Sequence, residues 1–263
     1  MLIAPADHPA VTKYRELLYS RYFTLPDLST LTVAEVNEAT AAELKPYGIQ
    51  IEGLGSGNKI AYDKAATENE ISIQFGNTNN GTVILGSGCG VRGRILLASD
   101  QCLFSASGFF RQGGPSTIDV VINGPAAALF GRNVSSVGSQ WIIEGENRCL
   151  IVGDDSMISW QVEARNYDSH AVFDLETGTI INEPTDIIVG AHCWLGQKVV
   201  ISRGISVGNG AILGIASVVT ADVPACCAVA GVPARVVRQG VTWDRSWTPS
   251  AERKAELRDY LAT

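Results

Sequence analysis

Between Val189 and Pro224 the apolar positions recur with a period of six. The chain divides there into the consecutive hexads VGAHCW, LGQKVV, ISRGIS, VGNGAI, LGIASV and VTADVP. The first places, Val189, Leu195, Ile201, Val207, Leu213 and Val219, are all branched aliphatics. The fifth places, Cys193, Val199, Ile205, Ala211, Ser217 and Val223, are small or aliphatic. An amphipathic helix needs apolar residues at steps of three and four, and a half-buried strand needs alternation, so neither accounts for a strict six. A triangular coil with short strands as its flat sides does. About three hexads close one coil, the first-place aliphatics point inward and stack on those of the next coil, and glycine at the second place permits the sharp corner. The predicted class is therefore all-β.

The same phase appears upstream at Leu85, Val91, Leu97 and Leu103, and again at Val152 and Ile158. Between these blocks IQIEGLGSGNKI, ISIQFGNTNNGTVILG and WIIEGENRCLIVG repeat an apolar pair, a glycine and an asparagine, residues suited to corners with unusual backbone angles. They read as degenerate coils. Phe109–Thr117 breaks the period and predicts a protruding loop or a distorted turn. After Ala164 the next regular first place is Val189, so a segment at about 165–187 leaves the coil, and long excursions from a rigid scaffold are frequently functional.

The two ends read as helical. Tyr14, Leu17, Leu18 and Tyr22 recur at helical spacing, and a second helical pattern runs from Thr32 to Leu44, opened by Thr32 and Glu35 in the manner of a capping box and ended by Pro46 and Gly48. Thr248 followed by Pro249 predicts the start of a terminal helix that covers the last open coil. The organisation is an N-terminal helical cap over 1–48, a coiled domain over 49–240 and a helical tail over 241–263.

With 263 residues, 46% hydrophobic and 18% charged, the chain can bury a substantial core. A net charge of -7 argues against nucleic acid or an anionic membrane as partner, since both need a basic footprint. No uncharged apolar stretch approaches the roughly 20 residues of a membrane span, and the N-terminus lacks a basic region followed by an apolar run. The expectation is a soluble, cytoplasmic protein with no integral membrane segment. Its six scattered cysteines form no CxxC pair and read as buried free thiols.

Three histidines are available for chemistry. His8 lies in a terminus read as mobile. His192 follows a corner glycine and points outward by the hexad phase, hence exposed. His170 sits in the excursion between Asp168 and Asp174, and a nearby carboxylate can fix an imidazole's tautomer and raise its basicity, as a general base requires. A solvated loop histidine is the plainer reading of the same residues.

DSHAVFD at 168–174, IIN at 180–182, IIVGAHCWLG, GIASVVTADVP, AGVPARVVR and WDR at 243–245 together resemble the bacterial hexapeptide-repeat O-acetyltransferases that modify capsular or lipopolysaccharide sugars. The likeness covers about residues 140–247. It implies a left-handed parallel β-helix of hexapeptide repeats, with short N-terminal helices and a C-terminal helix, assembled as a homotrimer. The activity it implies is transfer of an acetyl group from acetyl-CoA to a sugar hydroxyl; with no GxSxG serine and no recognisable cysteine dyad in the sequence, the transfer is expected to be direct, and no metal ligand set is expected. His170 would be the catalytic base with Asp168 beside it, and Trp194 would lie next to the thioester in a groove between subunits. Coenzyme A would run past Trp194, Gln197, Ile215, Thr220 and Ala221, with Arg235 and Arg238 toward its phosphates. Relatives usually carry GAGS where this chain has GIAS, and lysine in place of Ala221, which implies one fewer phosphate contact.

Three other readings share the architecture. An N-acetyltransferase of a nucleotide-linked amino sugar changes only the acceptor. A zinc hydratase like the γ-class carbonic anhydrases needs three histidine ligands, and only His170 and His192 lie in the coiled region. A catalytically inert scaffold would bind no acetyl-CoA. Phe109, Phe110, Arg111 and Trp141 in the irregular first half are where acceptor selectivity could reside.

Overall fold

In the computed structural model, which describes residues 2–66, 68–76, 78–109 and 114–262, the chain winds as a parallel β-solenoid of about eight turns. From Ile187 to Val219 the coil repeats every 18 residues, so that Ile188 pairs with Ser206, Trp194 with Ile212 and Val200 with Val218, and the step after it shortens to 16, Val207 pairing with Val223 and Ile212 with Ala228. One turn has three sides, Ile187–Val189, Trp194–Leu195 and Val200–Ile201, here termed first, second and third. All six first-place aliphatics are at most 2% exposed and all six fifth-place residues at most 5%. The period of six is thus the period of the bore.

The corner chemistry differs from the sequence expectation. Second-place glycines such as Gly190 and Gly208 do not adopt left-handed angles; they are small because the next coil touches them. A Cβ on Gly208 would meet the Ala225 backbone nitrogen at 2.4 Å, and one on Gly190 the Asn209 nitrogen at 2.8 Å. The left-handed residue is the fourth place, with φ of 53° at His192, 61° at Lys198, 73° at Gly204 and 56° at Ala216. Each non-glycine residue there costs about 1 kcal/mol.

Upstream coils are longer. Thr82 pairs with Leu103, 21 residues on, and Val91 with Ser116, 25 on. Their sides are strands such as Glu70–Phe75 and Ser116–Asn123, whose alternate residues are buried. The wider bore is filled by rings: Phe130 lies 5.8 Å from Phe104, 5.9 Å from Phe109 and 5.7 Å from Trp141. Trp141 and Phe109 are therefore core residues and not an acceptor surface, the Trp141 indole donating to the Ser139 hydroxyl at 2.8 Å. Phe110 and Arg111 lie outside the described residues. Around them Leu103–Phe109 and Ser116–Asn123 continue as strands, so Phe109, Ser116 and Thr117 belong to the coil.

The N-terminus is a strap along the solenoid, with only short helical turns at Thr12–Tyr14 and Arg15–Leu18. Leu103 breaks the inward phase: with Ile84, Leu129 and Ile151 it faces outward on the first side, where Val11, Leu18 and Phe23 of the strap cover it. His8 is buried, its Nε2 donating to the Gln101 carbonyl at 2.8 Å while Nδ1 accepts from the Ala10 amide, so it anchors the strap. Thr32–Glu35 is a strand, antiparallel to Lys59–Tyr62, and no capping box forms. The helix is Glu38–Leu44, capped by Asn37, whose side chain can satisfy an open amide of the first turn. Val36 and Leu44 plug the bore at this end.

At the other end the antiparallel hairpin of Cys227–Gly231 and Ala234–Gln239 finishes the last coil. The terminal helix Ala251–Leu261 is capped by Ser250 rather than Thr248, and it lies against the flank, Leu261 over Gly210 and Tyr260 against Tyr22, instead of closing the end. All six cysteines are free and five are buried. Among the described residues no helix is long and apolar enough to cross a membrane.

If backbone contact sets the second place, Gly208→Ala lowers stability by about 3 kcal/mol through overpacking. Gly240→Ala, at φ 66° with open space around it, loses only about 1 kcal/mol of stability, to backbone strain. Urea midpoints of the two variants measure the difference, and equal losses would refute the assignment.

Candidate functional site

The excursion departs where Met157–Arg165 ends. Buried Asn166 fixes that point, its amide donating to the Glu144 carbonyl at 2.9 Å and its carbonyl accepting from the Glu144 amide at 2.7 Å. Asn182, 6% exposed, clamps the loop from within. Its Nδ2 donates to the His170 carbonyl at 2.8 Å and to Asp168 Oδ2 at 3.1 Å, and its Oδ1 accepts from the Val172 amide at 2.7 Å. Asp174 organises the distal turn by accepting from the amides of Glu176 and Thr177.

Among the described residues His170 is held by its backbone and not by its ring. The imidazole is exposed and borders an opening of about 180 Å³ with Glu144, Tyr167, Asn182 and Glu183. Asp168 does not orient it. The Asp168 carboxylate is taken up by Asn182 and by the Arg203 guanidinium at 2.9 Å, and those two contacts hold its pKa below the ordinary aspartate value. Asp168 therefore ties the loop to the corner one coil further on.

Trp194 begins the second side, 40% exposed, paired with Met157 on one hand and Ile212 on the other. It does not line the His170 opening; within one chain the third side separates them. Behind Trp194 is a cluster that the hexad phase did not foretell. His192 is fully buried rather than exposed. Its Nδ1 lies 2.8 Å from Asp155 Oδ2, its Nε2 lies 2.8 Å from the Trp243 carbonyl, and its ring stacks on the Trp243 indole at 4.6 Å and 10°. Trp243 returns a hydrogen bond to the His192 carbonyl at 2.7 Å and sits 6.2 Å from Trp194, so it backs that ring. Arg245 bonds Asp155, the Ser135 hydroxyl and the Asn133 carbonyl.

The remaining residues divide between two edges. Gln197 and Ile215 stack at the corner after the second side, where the Ala216 amide donates to the Gln197 carbonyl at 2.8 Å. Thr220 and Ala221 follow the third side, one coil below Ser202 and Arg203 and on the edge from which the His170 loop springs. Arg235 and Arg238 are exposed on the terminal hairpin, without a carboxylate partner among the described residues.

No protein-family model matches the chain. It is 30% identical over 128 residues to the polysialic acid O-acetyltransferase of Escherichia coli O1:K1 / APEC, covering 49% of this chain and 41% of that protein. It is 37% identical over 70 residues to the polysialic acid O-acetyltransferase of Neisseria meningitidis, covering 27% and 33%. These matches span less than half the length of each relative. The crystal structure of the polysialic-acid-specific acetyltransferase NeuO superposes with a TM-score of 0.67 at 25% identity, taking in 81% of this chain and 98% of that one. The chain shares its coiled fold with NeuO, and its sequence is similar to the polysialic acid O-acetyltransferases.

For this hexapeptide-repeat protein, sequence reasoning missed Asn182, Arg203, Asp155 and the burial of His192. Asn182 and the Trp243–Arg245 segment stood within the motifs that carry the resemblance, but nothing local told what they touch. Burial works against the Asp155 charge, yet the His192 and Arg245 contacts outweigh it and leave its pKa lowered. A lowered native value means stability that is present above the ordinary aspartate range and lost as pH falls through the native value. Asp155→Asn is expected to lose about 2 kcal/mol at pH 7, a deficit that shrinks as both proteins are acidified. Urea titrations across pH 3 to 7 check this, and a deficit independent of pH would disprove the charge role.

Proposed function

We propose that this protein transfers the acetyl group of acetyl-CoA to a sugar hydroxyl in cell-surface polysaccharide biosynthesis, with His170 as general base. The likeness to NeuO over nearly all of that chain carries the reading, and the relatives matched in sequence are named O-acetyltransferases of a sugar polymer. The imidazole of His170 is exposed beside the opening at the loop, where a sugar hydroxyl can reach it. His170 takes that proton as the sugar oxygen adds to the acyl carbonyl, and returns it to the departing sulfur, so no net proton is left on the enzyme. The cycle needs no acyl-enzyme.

Donor binding falls to the second side and to the two edges that meet where one subunit's coil faces the next. Trp194 offers an apolar face and one N–H donor beside the thioester. Gln197, Ile215, Thr220 and Ala221 border the pantetheine arm, and Arg235 and Arg238, uncommitted to carboxylates, present planar forks to phosphate oxygens. Because the third side separates His170 from Trp194 in one chain, the site is assembled between subunits of a homotrimer, His170 from one and Trp194 from the next. The excursion supports this, since Val172, Phe173, Leu175 and Ile181 are between 51% and 91% exposed, an apolar patch that a lone chain leaves in water. Six free thiols accord with the cytoplasm.

His170→Ala is expected to lower kcat by at least about a hundredfold with an unchanged circular dichroism spectrum; retained turnover would eliminate the base. Light scattering of the unaltered protein should give three times the 27.9 kDa chain mass. A monomer would leave the shared site without foundation.

A further inference from the structure

The strand that leads to His170 carries an aromatic side chain for which the reaction has no use. Trp160 is 54% exposed on Met157–Arg165, at a bulge where Gln161 takes a φ of 57°. Its carbonyl accepts the Lys198 amide at 3.1 Å, as the Gln197 carbonyl accepts that of Ala216. Each is followed by a left-handed residue, Gln161, Lys198 or Ala216, so Trp160 is the register equivalent, one and two coils earlier, of Gln197 and Ile215. The backbone on which the indole stands is therefore fixed by the coil stack.

Trp160 borders a shallow depression of about 430 Å³ with Gly138, Gln140, Gln161 and Glu163. Gly138 has no side chain beside the ring, and a Cβ there would still lie 3.7 Å from that of Trp160. Gln140 donates to Asp119 at 3.1 Å and Glu163 accepts from Arg165 at 2.9 Å, so both planar groups are held with acceptor oxygens to spare. An indole face edged by oriented amide and carboxylate groups is matched to a pyranose, whose C–H face packs on the ring while its hydroxyls donate to the rim.

We propose that Trp160 forms a glycan subsite, holding a sugar ring of the acceptor chain remote from the reacting one. The inference rests on the reading of the protein as a sugar acetyltransferase. From Trp160 the chain turns at Gln161 and reaches Arg165, where the His170 segment departs, within at most about 16 Å, five residues at about 3.3 Å each. The subsite is thus reached by an acceptor several units long and missed by a single sugar.

Isothermal titration without acetyl-CoA tests this independently of turnover. Oligosialic acids and, as a neutral series, maltooligosaccharides of one to eight units are titrated into the unaltered protein, Trp160→Ala and Trp160→Phe. In the series that binds, Trp160→Ala should weaken the octamer about five- to tenfold, as expected for one aromatic platform. Trp160→Phe should recover most of the loss, and the single sugar should be unaffected. The series that responds identifies the glycan as anionic or neutral. Equal octamer affinity in all three proteins, no octamer binding by the unaltered protein, or a change in assembly mass in Trp160→Ala, which would put the ring against a second copy, overturns the subsite. Acetyl transfer is assayed separately with labelled acetyl-CoA. Octamer binding through Trp160 without transfer would sink the catalytic reading and leave the subsite standing.

Discussion

Contact between the backbones of successive coils governs this molecule. Where Gly190 meets Asn209 and Gly208 meets Ala225, no room remains for a Cβ, so the second place is fixed in size by its neighbour one coil on rather than by its own backbone angles. The same closeness aligns Val189 on Val207 and Leu195 on Leu213, making an aliphatic column within a continuous parallel ladder. The turn is then made two residues later, and His192, Lys198 and Ala216 accept left-handed angles because the coils on either side leave no other path. A stack of this kind has two raw ends. Residues 32–44 seal one and the terminal hairpin the other, each with an antiparallel strand pairing that stops the parallel repeat.

The hexads were legible because every coil of 18 residues obeys one rule. Upstream the rule loosens: longer strands put two or three residues on each inner side, and alternation replaces the period of six. Leu103 shows the consequence. It keeps the phase of Leu85, Val91 and Leu97 in number but faces the opposite way, because the first side there is covered by the N-terminal strap as well as by the bore. Trp141 was misjudged for a related reason: nothing local says that a wider coil can swallow an indole. The strap itself looked like a helical cap because its apolar residues match a flat sheet and a helix face about equally well.

Within the site, legibility followed sequence distance. The His170 segment stood out by leaving the period, and the motifs around it carried a recognisable likeness. What holds it did not. Arg203 is 35 residues from Asp168 yet one coil away, and Asn182 closes the loop from its far side. Only the coil register makes these neighbours. His192 failed differently. Its place in the hexad does face outward, as read, but the chain returns after the last coil and lays Trp243 over it, turning an exposed corner into a buried stack with Asp155 behind. A solenoid pattern describes what each coil presents, and is silent about what later covers it.

The contrast between the two histidines bears on how such a scaffold can host chemistry. His192 has both ring nitrogens against oxygen and its face against an indole, so the fold spends its polar contacts on locking it. At His170 the contacts go to the main chain: Asn182 takes its carbonyl, Asp168 is drawn off to Arg203, and the ring stands exposed. A base must nonetheless be oriented when the proton moves. On the reading proposed above, that orientation has to come from outside the single chain, from the acceptor hydroxyl or from the neighbouring subunit that brings Trp194. On that reading the rigid coil sets where the imidazole stands, and assembly with substrate would set which way it points.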